Sequence, residues 1–106
     1  MNIAQIAKMA QQVQAQMAQA QEELKETTLE VTAGGGALRI VITGAQEIRH
    51  VQIDPSAVDP DEVEMLQDLV MSAMNEAIGR SKALERERMA TIAGGMPGMP
   101  GLPGFG

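Results

Sequence analysis

The sequence predicts an α+β fold, α-β-β-β-α, with a three-stranded antiparallel meander between two long helices. Three observations predict it. Apolar residues recur three and four apart as far as Leu24, short runs of period two follow between Leu29 and Ile53, and helical spacing returns after the Asp59-Pro60 pair. With 106 residues the chain forms one small domain. A chain of this length buries only about two-thirds of its unfolded surface, so part of the core is expected to come from a second copy.

The first helix is carried by Ile3, Ile6, Ala10, Val13, Met17, Ala20 and Leu24, an a/d seam with no Gly or Pro to break it. A stripe this narrow suits helix pairing better than covering a globular core, and the small Ala10 and Ala20 would let a partner helix come close. The glutamines on the other faces give solubility without charge.

Around Thr27 the period becomes two. Leu29, Val31 and Ala33 alternate with Glu30 and Thr32, and Leu38, Ile40 and Ile42 alternate with Arg39 and Val41. In the third run, EIRHVQI, Val51 and Ile53 are in phase and Ile48 is not, which predicts a bulge near His50. The links AGGGA and GAQ are short enough for hairpins. Gly34, Gly35 and Gly36 do not make a phosphate loop. No Lys-Ser/Thr follows them to open a helix, and Arg39 stands where the dinucleotide fingerprint needs its third glycine. Their expected role is to supply positive φ in a tight turn.

The second helix is expected from Pro60 to about Ile92. Asp59 serves as N-cap, Pro60 occupies the first helical position and Glu62 follows three residues after the cap. Val63, Leu66, Val70, Ala73 and Ala77 fall at heptad spacing, with Leu69, Met74 and Ile78 widening the stripe enough to cover a sheet as well as a helix. Two domains of behaviour follow: a folded unit at 1–93 and a Gly/Met/Pro-rich tail at 94–106, expected to be disordered.

The net charge is −6, but its distribution is uneven. His50 to Gly79 holds seven acids and no Lys or Arg, whereas Arg80, Lys82, Arg86 and Arg88 crowd the next stretch against Glu85 and Glu87. The acids lack the alternation, sixth-position glycine and twelfth-position Glu of a calcium loop, and acids in a first helical turn complement the helix dipole. There is no Cys, and the sole His50 has no nucleophile or second acid/base to work with. No enzyme, cofactor, metal or small-molecule substrate is expected. The N-terminus has no continuous apolar signal-peptide core, and no stretch nears the roughly 20 apolar residues of a membrane span, so the expected setting is cytoplasmic.

Lys82 and Arg86 share one ridge of the second helix, while Arg80 has Glu76 one turn before it. Like charges four apart are explained by an anion near them, or by a solvated helix end whose positive charge complements the dipole. The residues alone leave both open.

The combination KMAQQVQ, VTAGGGALRIVITG, IRHVQIDPSAV, MLQDLVMSAMNEAI and GGMPGMPGLPG resembles the YbaB/EbfC family of nucleoid-associated DNA-binding proteins over nearly the whole chain. The resemblance implies an intertwined homodimer with protruding helices arranged as tweezers, binding double-stranded DNA in the nucleoid and altering its conformation, with effects on nucleoid organisation and gene expression. It places DNA contacts on the projecting helices, where the basic positions are Lys8, Lys82, Arg86 and Arg88. Lys8 is expected near the paired end of the first helix, in one site with Lys82 and Arg86 at the helix tips. A dimeric adaptor that binds another protein, without direct DNA contact, is the alternative.

Overall fold

The computed structural model describes residues 2–94. Its elements are α1 (Ile3–Glu26), β1 (Thr28–Ala33), β2 (Leu38–Thr43), β3 (Ile48–Ile53), a short 3-10 turn (Pro55–Ala57) and α2 (Val63–Gly94). The sheet is an antiparallel meander in the order β1-β2-β3, as the alternation predicts. The expected disordered tail lies outside the described residues except for Gly94, which is the last residue of α2.

α1 starts in a capping box. The Asn2 carboxamide oxygen accepts the Gln5 amide at 2.8 Å, and Gln5 Oε1 accepts the Asn2 amide at 3.2 Å. It ends at Thr27, whose amide and hydroxyl both donate to the Glu23 carbonyl. The glycine turn holds Gly34, Gly35 and Gly36 at φ of 61°, 68° and 94°, all left-handed, as expected of three glycines in a tight link. Gly34 has a second constraint, since a Cβ there would lie 2.9 Å from Leu69 Cδ2, whereas Gly35 faces open space. Gly34→Ala is therefore expected to cost about 1–3 kcal/mol, and more than Gly35→Ala, in urea midpoints measured at one protein concentration.

The bulge falls at Arg49. Val41 pairs with His50 and Ile42 with Ile48, leaving Arg49 as the extra residue. This returns Ile48 to the face that carries Val51 and Ile53, the face on which Leu38, Ile40 and Ile42 are buried.

α2 begins at Val63, not at Pro60. Asp59 instead closes a turn of its own, its carboxylate accepting the Asp61 amide at 2.9 Å while its carbonyl accepts the Glu62 amide. The same Asp-Pro chemistry serves a turn and a helix start, and here the turn wins. Asp54 does likewise after β3: it accepts the Ser56 amide, and this hydrogen bonding holds its carboxyl below the ordinary carboxylate value.

The core joins Val31, Leu38, Ile40 and Ile42 of the sheet to Ala73 and Ala77 of α2, with Leu29, Ala33, Leu69, Val70 and Met74 around them. The two alanines, one turn apart, let α2 settle close to the sheet. It covers β1 and β2 and leaves β3 exposed along its whole length.

Beyond the sheet, the second half of α2 runs antiparallel to α1. Leu84 meets Leu24 beside Gly44, Arg88 meets Glu23, and Ile92 shares a groove with Gln16 and Ala20. The C-terminal end of the a/d seam thus pairs with this chain's own α2, burying Ala20 and Leu24. The N-terminal end does not, and Ile3 and Ile6 are 85% and 54% exposed. At 1.5 Å per residue, α1 reaches roughly 15 Å past the end of α2. Sheet and two-helix arm together measure 70 × 28 × 16 Å.

Candidate nucleic-acid interface

A surface that binds a polyanion needs cations that are not already neutralised, so the first question is where each basic side chain spends its charge. Five of the eight have a carboxylate partner. Lys25 pairs with Glu22 at 3.0 Å, Arg39 with Glu30 at 2.9 Å, Arg49 with Glu47 at 2.6 Å, Arg80 with Glu76 at 3.6 Å and Arg88 with Glu23 at 2.7 Å. Among the described residues, Lys8, Lys82 and Arg86 have no carboxylate within salt-bridge distance, and all three are exposed.

Three of the four basic positions singled out in the sequence are therefore free, and the fourth is not. Arg88 straps α2 to α1 through the Glu23 carboxylate. The strap joins residues 65 apart, and only the antiparallel packing of the arm brings them together. Nothing in the spacing around either residue announces it.

The free cations do not form a single cluster within the chain. Lys82 follows Ser81, which is buried against the β2–β3 turn, so Lys82 stands at the root of the arm. Arg86 lies one helical turn further out. Lys8 sits on the outer part of α1, roughly 25 Å along the arm from Lys82. The expectation that Lys82 and Arg86 occupy a helix tip beside Lys8 is corrected by this register, because the basic stretch of α2 packs back onto the sheet end of α1 rather than projecting freely.

Glu22, Glu23, Glu26, Glu85 and Glu87 share the arm with these cations, while a stretch of acids with no Lys or Arg among them lies at the other end of the molecule. Asp59, Glu62 and Asp68 surround an apolar groove of about 600 Å³ between the glycine turn and the start of α2, with Ala37, Leu66 and Leu69 in its lining. The acids around that groove repel a phosphate backbone. No three of His, Cys, Asp and Glu among the described residues are placed to hold a metal ion. No helix among them is long and apolar enough to cross a membrane.

The model of the YbaB/EbfC DNA-binding family matches residues 1–96. A nucleoid-associated protein of Ruminiclostridium cellulolyticum is 48% identical over 95 residues, covering 90% of this chain and 83% of the relative. Another, from Chloroflexus aurantiacus, is 48% identical over 96 residues and covers 91% of this chain and 96% of its own. The crystal structure of an uncharacterized protein from Helicobacter pylori superposes with a TM-score of 0.75 at 25% identity, over 90% of this chain and 99% of that one.

Proposed function

This chain belongs to the YbaB/EbfC DNA-binding family, and we propose that it works in the nucleoid as a homodimer that binds double-stranded DNA mainly through phosphates and alters its path. The observation that carries this reading is the charge census. In a protein of net charge −6, the cations left without partners lie along one arm. Lys82 and Arg86 supply the contact at the root and Lys8 a second contact further out. Arg88 would have to release Glu23 to join them and contributes less. There is no Trp or Tyr and the single Phe is Phe105, so the folded unit has no aromatic platform for unpaired bases. The free cations suit phosphate oxygens, which carry no sequence information, and this favours backbone contact with little sequence preference.

A second copy is favoured by the apolar surface a single chain leaves open. Ile48, Val51 and Ile53 on β3 are 37%, 43% and 38% exposed, on the same face as the buried core. β3 is also an edge strand, and the outer seam of α1 presents Ile3, Ile6 and Met17. A strand edge with an apolar face is a liability unless it is covered, and a twofold copy covers it at both ends at once. Two copies present two arms, the arrangement a bent or gripped duplex requires.

A gel shift with random duplex across a salt series tests the reading. Binding that weakens steeply with salt and is indifferent to sequence is expected. An intact dimer that fails to shift duplex even at low salt would instead favour the adaptor.

A further inference from the structure

The buried polar contacts that fix the direction of the arm relative to the sheet gather in the five residues from Thr43 to Glu47, beside one exposed bond from the Arg49 guanidinium to the Lys25 carbonyl at 3.1 Å. Ser81 sits in the stripe of α2 that otherwise carries Ala73, Ala77 and Leu84, and it is completely buried. Its hydroxyl donates to the Thr43 carbonyl at 2.6 Å and accepts both the Gln46 amide at 3.1 Å and Gln46 Nε2 at 3.0 Å. Among the described residues, every hydrogen bond between α2 and the sheet runs through this one hydroxyl. Gln46 is the only non-glycine residue among them with positive φ, at 61°. A glycine would adopt that backbone without strain, but it could not send Nε2 to Ser81 and to the Gly44 carbonyl. The same turn holds α1: the Gly44 amide donates to the carbonyls of Leu24 and Thr27 at 3.0 and 2.9 Å. A Cβ on Gly44 would stand 2.6 Å from Leu24 Cδ2 and 3.2 Å from Leu84 Cδ2.

We propose that the β2–β3 turn is the joint that sets the angle of the two-helix arm, with Ser81 and Gln46 as the positioning residues that aim Lys82 and Arg86 at DNA. The hydrophobic term has no direction, and side-chain packing still leaves a helix's crossing angle a scatter of about 15–20°. Three directional bonds on one buried hydroxyl remove that freedom, and Lys82 is the next residue along the chain. The only side-chain hydrogen bond between the two helices among the described residues is the exposed Arg88–Glu23 strap, which holds them together without fixing them to the sheet. The role in DNA binding rests on the reading that these cations contact phosphates, while the role in arm geometry does not.

The chain has no cysteine, so Gln12→Cys on α1 and Thr32→Cys on β1 introduce two spin labels and no others. Dilution with unlabelled full-length chain leaves one labelled copy per assembly, and the distance between labels reads the arm angle directly. One narrow peak is expected with the joint intact. Ser81→Ala is expected to widen the peak about twofold or shift its centre by several ångströms, with roughly tenfold weaker binding of a duplex of about 30 base pairs and a smaller DNA bend. Gln46→Gly relieves the left-handed backbone and keeps the amide bond to Ser81. It is expected to give a smaller change of the same kind at an unchanged melting temperature, and it carries the test if Ser81→Ala does not fold. Unchanged distance peaks in the folded variants overturn the joint. Altered peaks with unaltered affinity and bend overturn its role in DNA binding. Altered peaks in a protein whose intact form binds no duplex at low salt leave the joint standing and sink the DNA reading instead.

Discussion

Val51→Asp is expected to convert the proposed dimer to monomer at micromolar concentration, the largest single-substitution effect the structure predicts. Val51 occupies the middle of the exposed apolar face of β3, opposite buried Ile40. If a second copy covers this face, the new carboxylate is buried without a partner, at a cost of about 3 kcal/mol or more. Twofold symmetry applies the substitution twice, so the dissociation constant rises by about four orders of magnitude for a total near 6 kcal/mol. The fold of each chain should survive, because Val51 lies outside the cluster of buried residues that α2 covers. Gln52→Asp is the control. Gln52 pairs with Arg39 and faces the opposite side of the sheet, where a carboxylate is solvated and has a cation nearby. Sedimentation velocity of both variants decides: a Val51→Asp protein that remains dimeric would move the interface away from β3.

Most of the scaffold is legible in the sequence because it is written in local chemistry. Three glycines need left-handed φ, and the structure gives it to all of them. The phase break at Ile48 is a bulge because only an extra residue can return an out-of-phase isoleucine to the apolar face. The start of α2 is misread for the converse reason. Asp-Pro followed by acids satisfies the rules of an N-cap and of a turn equally, and local signals cannot separate two solutions that use the same hydrogen bond.

The candidate site is less legible, since it depends on contacts between distant residues. The cations themselves are visible, but whether each is free is decided by partners such as Glu23, and the distance between Lys8 and Lys82 is decided by the register of two helices. Ser81 did leave a signal. A serine four residues after Ala77 and three before Leu84 interrupts an apolar stripe, and a polar residue at a stripe position must find a buried partner.

Replacing Lys82 and Arg86 together by alanine is expected to weaken duplex binding about a thousandfold at physiological salt while leaving the fold intact. Both side chains are exposed and free of ion pairs, so their loss breaks no contact that holds the chain together. Two such cations in each copy of the proposed dimer neutralise about four phosphates, which contributes about −3.6 to the slope of log K against log salt. At about 0.15 M salt that slope is worth about three powers of ten relative to 1 M, and this is the affinity the double variant forfeits. Its residual slope should be shallow and due mostly to Lys8, and the loss should be the same for every sequence, because phosphates carry no sequence information. Arg88→Ala offers the internal contrast. It removes a strap rather than a free charge, so it is expected to lower thermal stability more than DNA affinity. The strand control changes Arg39 and Arg49, both already paired with glutamates, Arg49 also donating to the Lys25 carbonyl of α1. Gel shifts of all these variants across one salt series separate the possibilities, and loss of binding only in the strand control would place the interface on the sheet and discard the arm.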